Sequence, residues 1–265
     1  MYKKFYRDVE DVMVMTNHYH DNGEPYEMET AGSSLTLKKF GVQHYASMLG
    51  AKNPIPPSEL NFISKLKRSI TSRGLLEAIP ALYHDVDKIL FNEINPDIPA
   101  GKTFHNCFSV DIKQAYWQSA LNIGYLSDQL YKDGMKVNKI VRLASLGSFA
   151  KVRNIYRFDG EKCLTPLVID PEHPEVFYNC AYMTYLAMKE CMEALGDDFL
   201  LYWTDGVYMK SEVSTKVCLD ILYKHGYEGK VEPIIKVVRS PRAFTTHEKN
   251  PEGLRTKTYF TNTLR

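Results

Sequence analysis

The apolar positions of this chain repeat with two periods, and each period predicts a different type of secondary structure. Repeats of three to four residues predict helices at 6–17, 113–123, 175–195 and 213–225, with further helical segments through about 153. Alternation and short apolar runs predict strands at 107–111, 199–204 and 207–209, extended segments at 231–239 and 255–261, and a hairpin within 155–170. The stretch 58–104 is mixed, and we predict helices within it.

Turn residues separate these segments. Residues 22–25 (NGEP) form a clear turn signal, and Gly196 is placed to end the long helix 175–195. Residues 30–34 look like a turn and cap before a short helix that begins at Leu35. Because helices and strands intermix, we predict an α+β fold: an antiparallel sheet with helices on one face, plus a mostly helical N-terminal region.

Two of the predicted strands end in the same way, at an aspartate. Asp111 closes the strand 107–111, and Asp205 stands at the tip of the hairpin formed by 199–204 and 207–209. Carboxylates at neighbouring strand ends supply hard oxygen ligands that can hold divalent metal ions against a triphosphate. A single aspartate at a strand end is most often a cap or turn residue, but two such ends together favour nucleotidyl transfer.

The formal net charge of +1 hides two basic segments. Seven basic residues and one acid lie in 132–157, and seven basic residues and two acids lie in 236–265. Within the first segment, one helix would align four cations on one face if Gly134 does not break it: Lys132, Lys136, Lys139 and Arg142. Both segments suit a polyanionic partner, and the alternative interpretation is a solvated surface.

Composition excludes several other classes of protein. The chain of 265 residues is 44% hydrophobic and 25% charged, which is ordinary for a globular protein of one large or two small domains. Its five cysteines show no paired spacing, which argues against a zinc site and for reduced thiols. No apolar run approaches the roughly 20 residues that span a bilayer, and no signal peptide pattern is present. We therefore expect a cytoplasmic protein with no membrane partner.

Four segments, taken in order, resemble the palm domain of family B DNA polymerases, especially the protein-primed branch. Residues 111–116 (DIKQAY) resemble the first palm motif, and 139–150 (KIVRLASLGSFA) are similar to the second. Residues 202–206 (YWTDG) resemble the third motif, and 257–259 (KTY) match the motif that contacts the primer end. Upstream, 30–33 (TAGS) resemble the segment that joins exonuclease and palm domains. The resemblance covers residues from about 28 to 260.

The resemblance implies a two-metal reaction at the two aspartates. Asp111 and Asp205 would be catalytic and, with the carbonyl of Ile112, would bind Mg²⁺ (or Mn²⁺). Tyr116 would lie beneath the bound sugar and favour deoxynucleotides; read alone, it is equally typical of a core tyrosine. Lys139 and Arg142 would contact the incoming nucleotide.

Four further residues would contact the primer and the DNA: Lys257, Tyr259, Lys151 and Arg153. Lys257 and Tyr259 are two positions apart on a predicted strand, so their side chains share one face. The partners implied are DNA and dNTPs, together with a priming protein or other replication subunits. Mobile elements and viruses carry such polymerases, so the expected location is the host cytoplasm if the chain is viral.

The chain departs from the family pattern at several positions. Trp203 stands where the third motif has its first aspartate, and Trp117 replaces the proline after the first motif. Leu143 and Leu146 stand where the second motif has asparagine and tyrosine. We expect a reduced form without exonuclease or thumb domains. It would comprise an N-terminal region, 1–104, as a remnant of the exonuclease–palm connection, and a palm-like domain, 105–265, with minimal fingers at about 125–155.

Three functional hypotheses remain open on the sequence. The first is a nucleotidyltransferase, a DNA polymerase that extends or primes DNA. The second is a catalytically degenerate palm that acts as a nucleic-acid-binding or scaffold subunit, favoured by Trp203. The third is one part of a split polymerase, whose other domains lie on another chain.

Overall fold

The computed structural model describes residues 2–6, 9–31, 34–47, 57–72, 74–250 and 253–260. Within them the helices are α1 (Val9–Asp21), α2 (Pro57–Ser72), α3 (Leu75–Ala78), α4 (Ala115–Ile123), α5 (Asp128–Met135), α6 (Lys139–Gly147), α7 (Glu175–Leu195) and α8 (Val213–Lys224). The strands are β1 (Tyr2–Tyr6), β2 (Tyr26–Ala31), β3 (Ser34–Lys39), β4 (Val42–Ser47), β5 (Asn92–Ile94), β6 (Thr103–Ile112), β7 (Arg153–Asp159), β8 (Lys162–Cys163), β9 (Leu167–Ile169), β10 (Phe199–Trp203), β11 (Gly206–Met209), β12 (Gly229–Ser240), β13 (Ala243–Asn250) and β14 (Gly253–Phe260).

The chain divides into two compact units, each assembled from two separate stretches. The first unit comprises residues 1–80 and 124–177, and the second comprises 81–123 and 178–265. This division differs from the expected boundary near residue 104. The segment expected to act as fingers, at about 125–155, belongs to the first unit together with the N-terminal elements.

The first unit contains a sheet in the order β1-β4-β3-β2-β7-β8, with β9 also paired to β7. Its strand pairs are antiparallel except for β1 and β4, which are parallel. Helix α1 packs on this sheet through Val12, which is buried with Tyr26, Leu35 and Leu37. Phe158 of β7 packs against the same cluster, so this core joins residues near the start of the chain to a strand more than 100 positions away.

The second unit contains an antiparallel sheet in the order β14-β13-β12-β6-β11-β10-β5. Val110, Ile112 and Val207 project from one face and are buried with Met188 of α7 and Leu222 of α8. Because side chains alternate along a strand, the residues between them project from the opposite face. The α+β fold that the sequence predicts is thus confirmed, with helices packed on one face of this sheet.

The opposite face of the second sheet, here called the open face, has a smaller apolar cluster. Cys107, Tyr208, Ile234 and Phe244 are buried there. Asp111 belongs to the same face, because it lies two and four positions beyond Ser109 and Cys107 on β6. Asp111 therefore lies on the same surface of the sheet as this apolar cluster.

Several predicted elements are confirmed with small changes in their bounds. Helices α4, α7 and α8, strands β6, β12 and β14, and the β10–β11 hairpin all occur where the sequence predicts them. The hairpin within 155–170 is also present, with Asp159 opposite Lys162. Helices α1 to α3 lie in the N-terminal part, as expected, although that part also contributes β1 to β5.

Two predictions are wrong. The short helix expected from Leu35 is strand β3, because Leu35 and Leu37 are both buried on a strand that pairs with β2 and β4. The turn and cap expected before it lie partly outside the described residues, at 32 and 33. The single helix that would align four cations is two helices, α5 and α6, and the side chain of Asn138 caps the second of them.

Candidate active site

Asp111 and Asp205 lie on neighbouring strands at one end of the second sheet. Asp111 on β6 is directly opposite Gly206 of β11, and Asp205 immediately precedes that glycine. The backbone N–H of Ile112 donates a hydrogen bond to the carbonyl oxygen of Asp205, with an N···O distance of 2.8 Å. The structure therefore brings together two aspartates that are 94 positions apart in sequence.

The turn that presents Asp205 is held in place from both sides. Thr204 has a φ of +57°, which is rare for a β-branched residue and indicates local strain. Its N–H donates to the carbonyl oxygen of Phe91 at 2.6 Å, and the hydroxyl of the buried Tyr202 donates to its carbonyl oxygen at 2.8 Å. The surrounding structure thus maintains a turn conformation that threonine alone would not favour.

The Asp111 carboxyl is in a negatively charged and partly desolvated environment. Burial raises the pKa of Asp111 to about 6, and the charge of Asp205 adds to the effect. Glu232 and Glu248 act in the same direction, while Lys257 opposes them. A divalent cation would neutralise this excess negative charge, and two carboxylates with a backbone carbonyl are the donors that Mg²⁺ prefers. The residues present therefore fit such an ion.

Glycine at position 206 makes room for the Asp111 side chain. A Cβ atom at that position would overlap Oδ1 of Asp111. The other carboxylate oxygen, Oδ2, lies 3.4 Å from the hydroxyl of Ser109, which is placed to donate a hydrogen bond. The orientation of the Asp111 carboxylate is consequently determined by its neighbours on both β6 and β11.

Lys257 forms an ion pair with Glu248 on the neighbouring strand β13. The distance between Lys257 Nζ and Glu248 Oε2 is 2.8 Å, and the Glu248 side chain is only 9% exposed. Burial opposes the charge of Lys257, but the hydrogen bond and charge of Glu248 outweigh this and raise the lysine pKa. The cation that is electrostatically coupled to Asp111 is therefore held in position by a buried carboxylate.

Tyr259 joins an aromatic group on the open face. Its hydroxyl lies 2.5 Å from the hydroxyl of Tyr208, and its ring centroid is 5.1 Å from that of Trp203. Trp203 is opposite Gly206, which is in turn opposite Asp111, so these positions share one face of the sheet. The indole thus occupies the surface beside Asp111 on which the resemblance leads us to expect another acid.

Ile112 and Tyr116 lie on the helix-covered side of the site. The Ile112 side chain is buried in the core and has no atom that can coordinate a metal ion, so a ligand role for this residue would belong to its backbone carbonyl. Tyr116, near the start of α4, packs against the same core. Burial raises the pKa of Tyr116, and the charge of Asp205 raises it further. Tyr116 therefore packs in the core and lies close enough to Asp205 for the charge of that aspartate to affect its pKa.

Lys139 and Arg142 differ sharply in their environments within the first unit. Lys139 is exposed at the start of α6. Arg142 is buried, and its Nη1 donates to the carbonyl oxygens of Gly134 at 3.1 Å and Val137 at 2.8 Å. Arg142 therefore connects α6 to the end of α5, a structural contact that the sequence did not predict.

Lys151 and Arg153 also belong to the first unit. Lys151 is half-buried, and burial lowers its pKa. Arg153, the first residue of β7, donates from Nε to Glu29 Oε1 at 2.7 Å. The expectation that both contact DNA stays a prediction.

Two acids that affect the site were not predicted from the sequence, Glu232 and Glu248. Glu248 lies on β13, a strand that was not predicted because its polar residues hide the alternation. The signal that could have revealed it is the turn composition of residues 250–253 (NPEG), which typically joins two strands of a hairpin. In the register, Asn250 pairs with Gly253 and Thr246 pairs with Lys257.

Over the described residues, no group of three or more His, Cys, Asp or Glu side chains is arranged to hold a metal ion.

No protein-family model matches this chain, and a search of curated proteins likewise finds no match. Among the helices that the structure describes, none combines the length and apolar character needed to cross a membrane.

Proposed function

We propose that this protein is a nucleotidyltransferase: a DNA polymerase with a family B-like palm that adds dNTPs to a primer end. The observation that supports this most is the adjacency of Asp111 and Asp205 on neighbouring antiparallel strands. The helices packed on one face of that sheet add support, because they leave the Asp111 carboxylate on the other face. The order of the four motif-like segments along the chain agrees with the same function.

Each candidate residue of the second unit has a distinct role in the proposed reaction. Asp111 and Asp205, with the carbonyl of Ile112, would hold Mg²⁺ or Mn²⁺. When bound, the ion supplies positive charge that favours attack of the primer 3′-hydroxyl on the α-phosphate. Lys257, paired with Glu248 and electrostatically coupled to Asp111, would contact a phosphate.

The aromatic residues would position the substrates. Tyr259 and Trp203 offer ring surfaces on the open face, and rings of this kind can stack on a base or sugar of the primer. Tyr116 would lie beneath the sugar of the incoming nucleotide, near Asp205. Lys139 is the exposed cation of the second motif-like segment, and it stays a candidate for contact with nucleotide phosphate. The partners proposed are DNA, dNTPs and a priming protein or other replication subunits, in the cytoplasm.

Primer extension tests this proposal directly. Purified protein would be given a primed template and dNTPs with Mg²⁺, Mn²⁺ or EDTA, and the variants Asp111→Asn and Asp205→Asn would be compared with Asp220→Asn. Asp220 is exposed on α8, so its variant controls for the loss of one acid. We expect metal-dependent incorporation by wild type and by the control, and at least a hundredfold loss in the other two. Incorporation that survives both site substitutions excludes the mechanism.

A second candidate is a non-catalytic DNA-binding subunit, and Trp203 favours it. The indole packs on Tyr259 beside Asp111, so the open face has ring surface where a catalytic palm would have another metal ligand. This function predicts binding of single-stranded DNA that weakens with salt but does not depend on metal ions. Substituting Trp203→Ala should weaken that binding about tenfold, and nucleotide incorporation by the pure protein would eliminate this candidate.

A further inference from the structure

A cavity of about 290 Å³ lies wholly within the first unit, apart from the candidate active site. Lys67 of α2 contributes to one wall, and Phe149, Lys151 and Arg153 contribute to another. The segment just before α7 completes it with Asp170, Glu172 and His173. The cavity therefore gathers three cations from parts of the chain that are more than 80 residues apart.

Two of these cations are not neutralised. Neither Lys67 nor Lys151 forms an ion pair with another described residue, whereas Arg153 is paired with Glu29. Burial lowers the pKa of Lys67, and the charges of Lys151 and Arg153 lower it further. Two half-buried ammonium groups that repel each other across one cavity are a costly arrangement unless an anion fills it.

The acids of the cavity do not cancel this charge. Asp170 and Glu172 are exposed, so water screens them more strongly than it screens the half-buried lysines. Glu172 does favour the charged form of Lys67, but its effect is smaller than those of burial, Lys151 and Arg153. His173 faces Glu175, with Nδ1 and Oε1 3.2 Å apart. The two lysines are thus less exposed to solvent than the two acids of the same lining.

The position of Lys67 is also constrained by packing. Its Nζ lies 5.4 Å from the ring centroid of Phe149, which is itself buried. A cation held over a ring loses less side-chain freedom when it binds a ligand than a fully mobile surface lysine does. The ammonium group of Lys67 is therefore less mobile than that of a surface lysine without such a contact.

We propose that the cavity is a binding site for a phosphate group, held between Lys67 and Lys151. Phosphate has the negative charge and the multiple acceptor oxygens that two ammonium groups can satisfy together. The phosphate can come from the backbone of a nucleic-acid strand or from a free polyphosphate such as that of a nucleotide. This inference does not rest on nucleotidyl transfer, because it involves neither Asp111 nor Asp205.

The test is a binding measurement in EDTA, so that no metal ion contributes. A fluorescein-labelled oligodeoxythymidylate of about 20 nucleotides and inorganic tripolyphosphate serve as the two probes. The variants are Lys67→Met and Lys151→Met, which keep most of the apolar stem but remove the charge. Lys162→Met, at an exposed lysine of the same unit that lies outside the cavity lining, is the matched control, and Lys67→Arg keeps the charge. Circular dichroism verifies that each variant is folded.

We expect each methionine variant to weaken binding of at least one probe about tenfold, while Lys162→Met and Lys67→Arg remain within about twofold of wild type. If the probe is the oligonucleotide, the slope of log K against log salt should fall by about 0.7 per lysine removed. Loss for the oligonucleotide identifies strand phosphates, and loss for tripolyphosphate alone identifies a free polyphosphate.

Binding of both probes within twofold of wild type in both methionine variants would overturn the proposal. An equal loss in the Lys162→Met control would also overturn it, because that would indicate nonspecific attraction. The assay is made in EDTA and measures binding alone, so it does not depend on catalysis by Asp111 and Asp205. A failure of catalysis is therefore distinguishable from a failure of this phosphate site.

Discussion

Asp111 and Gly206 face each other across β6 and β11, and the Asp111 carboxylate occupies the space that a side chain at position 206 would need. This relationship makes position 206 a sensitive probe of the site. A methyl group there must displace the carboxylate, while the strand pairing on either side can remain intact.

We predict that Gly206→Ala abolishes metal-dependent primer extension while the protein stays folded. The added Cβ displaces Oδ1 of Asp111, so the two carboxylates no longer present their oxygens together. The matched control is Gly147→Ala, because a Cβ at Gly147 in α6 has open space around it. The control should be neutral or stabilising by about 0.5–1 kcal/mol. Full activity in Gly206→Ala would show that the Asp111 orientation is unimportant.

The stability of the metal-free protein should depend on pH through Asp111. Its pKa rises from 3.8 to about 6 on folding, so the folded state holds the proton more tightly than the unfolded chain. The stabilisation is complete below about pH 4 and is lost as pH rises to about 6, by roughly 2–3 kcal/mol. Urea denaturation in EDTA across this range, on wild type and Asp111→Asn, measures the difference.

The Asp111→Asn variant should lack this part of the pH dependence. Other acids titrate in the same range, so the quantity to compare is the wild-type curve minus the variant curve. At pH 7, Mg²⁺ should raise the thermal midpoint of wild type and leave that of the variant nearly unchanged, because the ion binds the ionised carboxylate. Parallel curves for the two proteins would contradict the environment described for Asp111.

Lys257 should prove important for stability as well as for activity. Lys257→Met leaves the carboxylate of Glu248 buried without its cation, and we expect a loss of about 2 kcal/mol in the free energy of unfolding. The double variant Lys257→Met/Glu248→Gln removes the unpaired charge and should regain most of that loss. If the double variant is as stable as wild type but still extends primers poorly, Lys257 also acts on the substrate.

Substitutions at Arg142 and Lys139 should distinguish a structural cation from a candidate functional one. Arg142→Met removes a buried guanidinium that hydrogen-bonds two backbone carbonyl oxygens, and should cost about 2–3 kcal/mol of stability. Lys139→Met changes an exposed side chain and should alter stability by less than about 0.5 kcal/mol. If Lys139 contacts the triphosphate, its variant should instead raise KM for dNTPs. Equal stability losses in the two variants would contradict this assignment.

Local patterns were sufficient for elements whose signals lie within a few residues. The long helix α7 has a helical repeat and a terminal Gly196, and the β10–β11 hairpin has an apolar run followed by a turn at Asp205 and Gly206. Strand β3 was predicted as a helix because the spacing of Leu35, Leu37 and Phe40 fits both the helical repeat and the alternation of a strand. Its pairing with β2 and β4 on both sides decides between them.

The sequence by itself determined the α+β class, most of the strands and helices of the second unit, and the two aspartates as candidates. Tertiary structure alone decided that Asp111 and Asp205 are adjacent, that Glu248 fixes Lys257, that Arg142 is buried and that Lys67 and Lys151 share a cavity. Secondary structure follows from periodicity over neighbouring residues. The charge and solvation of a side chain depend on partners that are distant in sequence and become neighbours only when the strands pair and the helices pack.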